Sequence, residues 1–191
     1  MLDGRQARRP LQRPPQVIIL MGVSGCGKST IGQKLAKQLG WEFRDGDGFH
    51  PEANVAKMSA GIALTDDDRW PWLDAIGDWI DARRRERHPG IIACSALKQS
   101  YRERLVRGQS DVWVVHLQGS KELITSRMGA RKGHFMPTVL LDSQFATLEE
   151  PRHEERVLTV NIAMPPSRVV QTILQFVSPN RPSPGRLISR S

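Results

Sequence analysis

Two short runs of residues carry groups suited to phosphate chemistry. The first run, residues 22–29, reads Gly-Val-Ser-Gly-Cys-Gly-Lys-Ser and fits the pattern G-x-x-x-x-G-K-[ST]. Its glycines let the backbone curl so that several N–H groups point at a phosphate chain. Lys28 can then reach the outer phosphates, and Ser29 offers a hydroxyl to Mg²⁺. This run predicts a binding site for a nucleoside triphosphate.

The second run, residues 45–51, reads Asp-Gly-Asp-Gly-Phe-His-Pro. Its two carboxylates, Asp45 and Asp47, can divide the work on an extended segment. One faces Mg²⁺, while the other accepts the proton of a substrate hydroxyl. An Asp-Gly turn that merely ends a strand has the same sequence. The spacing alone therefore leaves both interpretations open.

Three cations are candidates for the acceptor side of a site. Arg69 follows three aspartates, residues 66–68, whose charges suit the start of a helix. A guanidinium there adds little to capping but can hold a carboxylate by two parallel hydrogen bonds. Lys98 and Arg102 lie four residues apart and share a helix face after a strand candidate. That face either lines the cleft or is simply solvated.

Two further arginines, Arg127 and Arg131, also lie four residues apart and precede a hinge-like segment, residues 132–137. Arginines that swing over a nucleotide can neutralise charge on the transferring phosphoryl group. Closure of such a lid also excludes water, which competes as an acceptor. The segment therefore predicts a lid over the nucleotide.

Strand-like and helix-like segments alternate between the two ends of the chain, and this alternation predicts an α/β fold. The fold is expected to be a doubly wound, parallel, five-stranded sheet with ligands at the carboxyl ends of the strands. The strand candidates are residues 16–21, 41–45, 90–94, 112–117 and 156–162. The helix candidates are residues 28–39, 52–60, 67–86, 97–107, 120–131, 138–148 and 166–177. Thr65 and Asp68 resemble a capping box at the start of the third helix.

The composition is that of a globular protein, with 39% hydrophobic and 25% charged residues among 191. No apolar stretch suits a membrane span or a secretory signal, and two cysteines suit a reducing cytoplasm. Of the net charge of +8, residues 1–15 and 178–191 carry +3 each. Both ends are also rich in proline, so we expect disordered basic tails around one domain, residues 16–177. The remaining net charge of +2 on residues 16–177 argues against a specific nucleic-acid partner.

The ordered motifs resemble gluconokinase, a family with a shikimate-kinase-like P-loop fold. The resemblance covers about residues 16–177 and rests on residues 21–30, 45–54, 57–58, 61–69 with Trp72-Leu73, 94–98 with Tyr101-Arg102, 131–137, and Gln144-Phe145 through Leu148-Glu149. It implies ATP-dependent phosphorylation of D-gluconate at its 6-hydroxyl. A homodimer is compatible with it.

The resemblance also implies roles for individual residues. ATP phosphates would lie on the loop formed by Gly22, Val23, Ser24, Gly25, Cys26, Gly27, Lys28, Ser29 and Thr30. Asp45 and Ser29 would place Mg²⁺, and Asp47 would bind and deprotonate the acceptor hydroxyl. Substrate-binding roles fall to His50, Arg69, Lys98 and Arg102, while Arg127 and Arg131 would approach ATP from the lid. Lys28, Asp47 and Arg127 are the expected catalytic residues.

Two alternatives remain at this point. A P-loop kinase for another small hydroxy acid, such as shikimate, or for a nucleotide would share most of these motifs. A nucleotide-dependent nucleic-acid-binding protein that uses the basic tails is a more remote interpretation.

Overall fold

Five parallel strands form one sheet in the structure, a computed structural model that describes residues 14–129, 138–152 and 155–177. The strands run in the order β2-β3-β1-β4-β5. Their bounds are β1 Val17–Met21, β2 Glu42–Asp45, β3 Gly90–Ala93, β4 Val112–Gln118 and β5 Val157–Asn161. All four neighbouring pairs are parallel. The predicted doubly wound α/β fold is confirmed.

Seven helices are described, and every predicted helix has a counterpart. They are α1 Lys28–Leu39, α2 Glu52–Ser59, α3 Asp66–Glu86, α4 Gln99–Val106, α5 Lys121–Gly129, α6 Thr138–Thr147 and α7 Pro166–Val177. A short 3-10 helix, Gly46–Phe49, follows β2. Helices α1 and α7 pack together, as do α3 and α4.

The sheet separates two hydrophobic cores because its central strand is buried on both faces. All five residues of β1 are 0% exposed. Ile18 and Leu20 enter the core that includes residues of α1 and α7. Val17, Ile19 and Met21 enter the core that includes residues of α3 and α4. Burial on both faces explains why this strand reads as a continuous apolar run.

The start of α3 is fixed by the predicted capping box. Thr65 Oγ1 accepts a hydrogen bond from the Asp68 N–H at 3.3 Å, and the Asp68 carboxylate accepts one from the Thr65 N–H at 2.9 Å. Lys57 Nζ also donates to Asp68 at 2.6 Å. The hydrogen bonds from Lys57 and Thr65 lower the pKa of Asp68 to about 2. Asp68 is thus a structural carboxylate that ties α2 to α3.

The carboxyl ends of the strands bring the predicted motifs to one edge of the sheet. In the strand order, β1 lies between β3 and β4, so the order reverses direction at β1. Folds of this kind bind ligands at the carboxyl ends of the strands at such a point. The Gly22 N–H donates to the Ser95 carbonyl at 3.2 Å, which joins the ends of β1 and β3. Within the described ranges, none of the helices has both the length and the apolar character that a bilayer crossing requires.

Candidate active site

The glycine-rich loop, residues 22–29, connects β1 to α1 as predicted. Gly25 has a φ of 79°, and a Cβ there would lie 2.6 Å from Met128, so only glycine fits without a shift. Lys28 Nζ donates to the carbonyls of Gly22 and Val23 at 2.9 and 3.1 Å. The first N–H groups of α1 have no partners within the helix and suit an anion. The loop therefore has the form of a phosphate cradle.

The paired aspartates lie beside this loop. Ser29 Oγ donates to Asp45 Oδ2 at 2.7 Å, and the Asp47 N–H donates to Asp45 Oδ1 at 3.2 Å. A hydroxyl and a carboxylate are hard oxygen ligands, so Ser29 and Asp45 fit the predicted Mg²⁺ site. The Asp47 side chain is exposed, and it acts electrostatically on His50 across the turn.

The turn after β2 is held by close packing. A Cβ on Gly46 would come 2.3 Å from the carbonyl oxygen of Ala93, so a larger residue would displace the backbone. The Trp72 indole N–H donates to the Gly46 carbonyl at 2.7 Å. The 3-10 helix that begins at Gly46 is therefore more than the bare Asp-Gly turn that the sequence left open, because α3 and β3 both fix its position.

The buried Cys94 thiol lies within electrostatic range of three charged groups of the site. Lys28, Asp45 and Asp47 all act on its pKa. Burial is the largest effect and raises the pKa of Cys94 to about 12. Burial also raises the pKa of Cys26. Both thiols are free and buried, so neither forms a reactive thiolate near neutral pH.

His50, a predicted substrate-binding residue, packs against α3 beside the turn that carries Asp47. Its ring stacks on Trp72 with centroids 4.2 Å apart and planes 12° from parallel. Its Nδ1 lies 3.4 Å from the amide nitrogen of Asn54, which is buried and donates to the Asp68 carbonyl at 2.7 Å. Burial lowers the pKa of His50; Asp47 opposes that shift and Arg69 adds to it. His50 is therefore a neutral imidazole close to both groups.

Arg69 and Lys98 meet on Asp66, a residue that the sequence analysis assigned only to the helix dipole. Lys98 Nζ donates to both Asp66 oxygens at 2.9 and 2.7 Å, and the Tyr101 hydroxyl also donates to Asp66. Arg69 lies 3.8 Å from the same carboxylate. The hydrogen bond from Lys98, followed by that from Tyr101, lowers the pKa of Asp66. The i,i+3 spacing of Asp66 and Arg69 was the signal that could have shown this cluster.

Arg102 is not brought to this cleft. Its side chain is 3% exposed and pairs with Glu155 at 2.6 and 2.9 Å. It also donates to three carbonyls, those of Ala96, Leu97 and Glu149. The structure does not support the expected contact of Arg102 with the substrate, because the guanidinium is buried and bonded to partners within the fold. Lys98, four residues earlier, precedes α4 with extended backbone and faces Asp66 instead.

Arg127 lies at a cavity on the other side of the loop. Its Nη2 donates to the Ile162 carbonyl at 2.7 Å. The cavity has a volume of about 170 Å³ and is lined by Gly25, Cys26, Gly27, Thr30, Ile31, Arg127, Ile162, Met164, Pro166 and Val169. Its mostly apolar lining beside the phosphate cradle suits a nucleobase. Arg131, the second predicted lid arginine, lies outside the described residues, as do the whole hinge-like segment and almost all of both tails.

Comparison with known proteins gives consistent matches. A protein-family model for shikimate kinase matches residues 24–177. The chain is 44% identical over 161 residues to gluconokinase of Gluconobacter oxydans (strain 621H), covering 84% of this chain and 90% of that protein. It is also 44% identical over 162 residues to thermoresistant gluconokinase of Escherichia coli (strain K12), covering 84% and 93%.

Solved structures agree with these matches. A gluconokinase from Sinorhizobium meliloti 1021 has a TM-score of 0.80 at 45% identity, covering 88% of this chain and 94% of that one. Shikimate kinase from Aquifex aeolicus vf5 has a TM-score of 0.56 at 20% identity, covering 86% and 97%. The second likeness concerns the fold alone.

Proposed function

Because the chain belongs to the gluconokinase family, we propose that it transfers the γ-phosphoryl group of ATP to the 6-hydroxyl of D-gluconate, which gives 6-phospho-D-gluconate and ADP. The observation that carries this proposal is the 2.7 Å hydrogen bond from Ser29 Oγ to Asp45 Oδ2. It joins the phosphate cradle to the Asp45–Asp47 turn, so a donor and an acceptor can meet between them.

The nucleotide occupies the loop and the adjoining cavity. Backbone N–H groups at the start of α1 hold the phosphates. Lys28, which here donates to the carbonyls of Gly22 and Val23, turns its ammonium to the outer phosphates. Ser29 and Asp45 would hold Mg²⁺, which would supply positive charge against the phosphate oxygens. Arg127 adds a positive charge from α5.

Asp47 is the base of the reaction. Its exposed carboxylate accepts the proton of the 6-hydroxyl as the new oxygen–phosphorus bond forms. The bond between the γ-phosphorus and the bridging oxygen to the β-phosphate breaks, and ADP leaves. The protein contributes position and charge, since the transfer itself needs little covalent chemistry from it.

The carboxylate of gluconate meets the cations around Asp66. Arg69 and Lys98 supply two positive charges against the single negative charge of Asp66. The group therefore keeps a net charge of about +1, which favours a monoanionic acid. His50 supplies a neutral ring nitrogen for a hydroxyl of the substrate.

A substrate panel tests the proposal. ADP release is measured with D-gluconate, shikimate and nucleoside monophosphates as acceptors. We expect turnover with gluconate alone; turnover with only another acceptor would refute the proposal. The shikimate alternative is not favoured, since the gluconokinase relatives are 44% identical and the shikimate kinase structure is 20% identical.

A cytoplasmic location and a homodimer remain predictions. The location rests on the two free cysteines, and the homodimer rests on the family. Size-exclusion chromatography with light scattering measures the second directly.

A further inference from the structure

Gln144 on α6 makes a double hydrogen bond to the phosphate loop. Its Oε1 accepts from the Ser24 N–H at 2.6 Å, and its Nε2 donates to Ser24 Oγ at 3.0 Å. The two residues are 120 positions apart. The paired contacts fix both the peptide plane and the hydroxyl of Ser24, the third residue of the loop. The proposed chemistry gives Gln144 no role.

The end of α6 is itself tied to the acceptor side. The Leu148 N–H donates to the Gln144 carbonyl at 2.9 Å, and Leu148 packs against both cores. The next N–H, of Glu149, donates to the Leu97 carbonyl at 2.9 Å. The Glu149 carboxylate accepts from the Gln99 N–H at 2.7 Å. These bonds flank Lys98, so a short chain of contacts connects the phosphate loop to the connection that carries Lys98.

We propose that Gln144 is a positioning residue for the nucleotide. It holds Ser24 so that the N–H groups of Gly25, Gly27 and Lys28 keep their inward direction, and it couples the loop to the Lys98 connection. Its amide contacts the loop and needs no contact with the reacting atoms. The two hydrogen bonds leave Ser24 satisfied without a phosphate, so the loop is set before the nucleotide arrives. This inference depends on the nucleotide-binding part of the proposed function only.

The first test replaces the amide by an apolar group of similar length, Gln144→Met. Both hydrogen bonds are lost, so nucleotide binding must now order the loop that they held in place. Two bonds of ordinary strength correspond to about a tenfold change in the equilibrium constant for binding. We expect the Kd of a non-hydrolysable ATP analogue and the KM for ATP to rise about tenfold, with KM for gluconate changed less than about twofold. Gln171→Met on α7, an exposed site, is the matched control and should change neither.

A second variant guards against misfolding. Gln144→Asn keeps the amide but withdraws it by one methylene, so we expect the same rise in Kd, with the free protein folded and its thermal midpoint lowered by no more than a few degrees. Ser24→Ala removes only the hydroxyl partner. Combined with Gln144→Met, it should add little beyond Gln144→Met alone, because the two changes remove one shared interaction.

Calorimetric titration of the analogue without acceptor separates this inference from the substrate proposal. If the parent protein binds the analogue normally but does not turn over gluconate, the proposed substrate is refuted and the positioning role of Gln144 is not affected. An unchanged Kd in folded Gln144→Met and Gln144→Asn would overturn the positioning role. A lower Kd would overturn it too, since Gln144 would then compete with the nucleotide for the Ser24 N–H.

Discussion

Asp45 and Asp47 are the same residue type two positions apart, yet their surroundings differ. Both oxygens of Asp45 accept hydrogen bonds, from Ser29 and from the Asp47 N–H. Asp47 instead has an exposed carboxylate near His50. This difference is consistent with the proposed roles, in which Asp45 holds the metal and Asp47 is the base.

Asp47→Asn should lower kcat by about 100-fold or more, because an amide cannot accept the hydroxyl proton. KM for ATP should stay near that of the parent. Steady-state kinetics with both substrates varied measures this, and Asp67→Asn, at an exposed position on α3, is the control. A variant that loses ATP affinity but keeps kcat would move Asp47 to the nucleotide side.

Arg69→Ala should raise KM for gluconate about tenfold, since a charge-assisted hydrogen bond to the carboxylate is lost. The thermal midpoint should hold, because Asp66 keeps Lys98 and Tyr101 as partners. Arg85→Ala, exposed on the same helix, is the matched control. An unchanged KM for gluconate would remove Arg69 from the carboxylate site.

At the residue scale, the sequence could predict which groups share an edge of the sheet when they lie at or soon after the carboxyl end of a strand. The topology of a parallel sheet sends Ser29, Asp45 and Lys98 to one edge, so their approach could be expected. Arg102 shows where such a prediction fails. Its partner Glu155 is 53 residues away, in a connection without a periodic pattern, and nothing in the spacing indicates that pair.

At the scale of elements, the strand and helix bounds were predicted within about two residues wherever they are described. Near-continuous apolar runs marked β1 and β4, and the Thr65–Asp68 capping box marked the start of α3. Helix α4 begins at Gln99 instead of residue 97 because Lys98 is extended, with φ of −92° and ψ of 151°. In that conformation Lys98 pairs with Asp66, a contact across 32 residues of sequence that local propensity does not contain.

The buried pair of Arg102 and Glu155 joins α4 to the connection before β5, so Arg102→Met should destabilise the fold. Loss of the guanidinium leaves the Glu155 carboxylate without its ion-pair partner. We therefore expect a decrease of about 3 kcal/mol in the free energy of unfolding in urea. Arg104→Met is the control; its side chain is 46% exposed and pairs with Asp74, so the loss should be much smaller than in Arg102→Met. Equal losses in the two variants would contradict this argument.

The same pair should make stability depend on pH. The hydrogen bond from Arg102 holds the pKa of Glu155 below its ordinary value of 4.5. The unfolded chain therefore binds more protons, so this contribution is full above about pH 4.5 and is lost as the pH falls below it. Urea unfolding measures this dependence. Between pH 7 and pH 4, the free energy of unfolding should decrease less in Arg102→Met than in the parent protein.

At the scale of the whole molecule, charge is unevenly distributed along the chain. Six of the eight net positive charges fall in residues 1–15 and 178–191. Removal of residues 1–13 and 178–191 should leave kcat and the thermal midpoint unchanged, because every element of the site lies between them. Any salt-sensitive binding to nucleic acid should disappear with them. A truncated chain without kinase activity would show that the tails take part in the site.

Cys94 is buried within electrostatic range of Lys28, Asp45 and Asp47, so the accessibility of its thiol reports opening of the cleft. At 2% exposure it is shielded from alkylating reagents until the ends of β1 and β3 separate. In a Cys26→Ser variant, the rate of maleimide labelling of Cys94 thus reports how often the ends of β1 and β3 open locally. Added ATP should slow the reaction; labelling as fast as that of free cysteine would show that these strand ends are open most of the time.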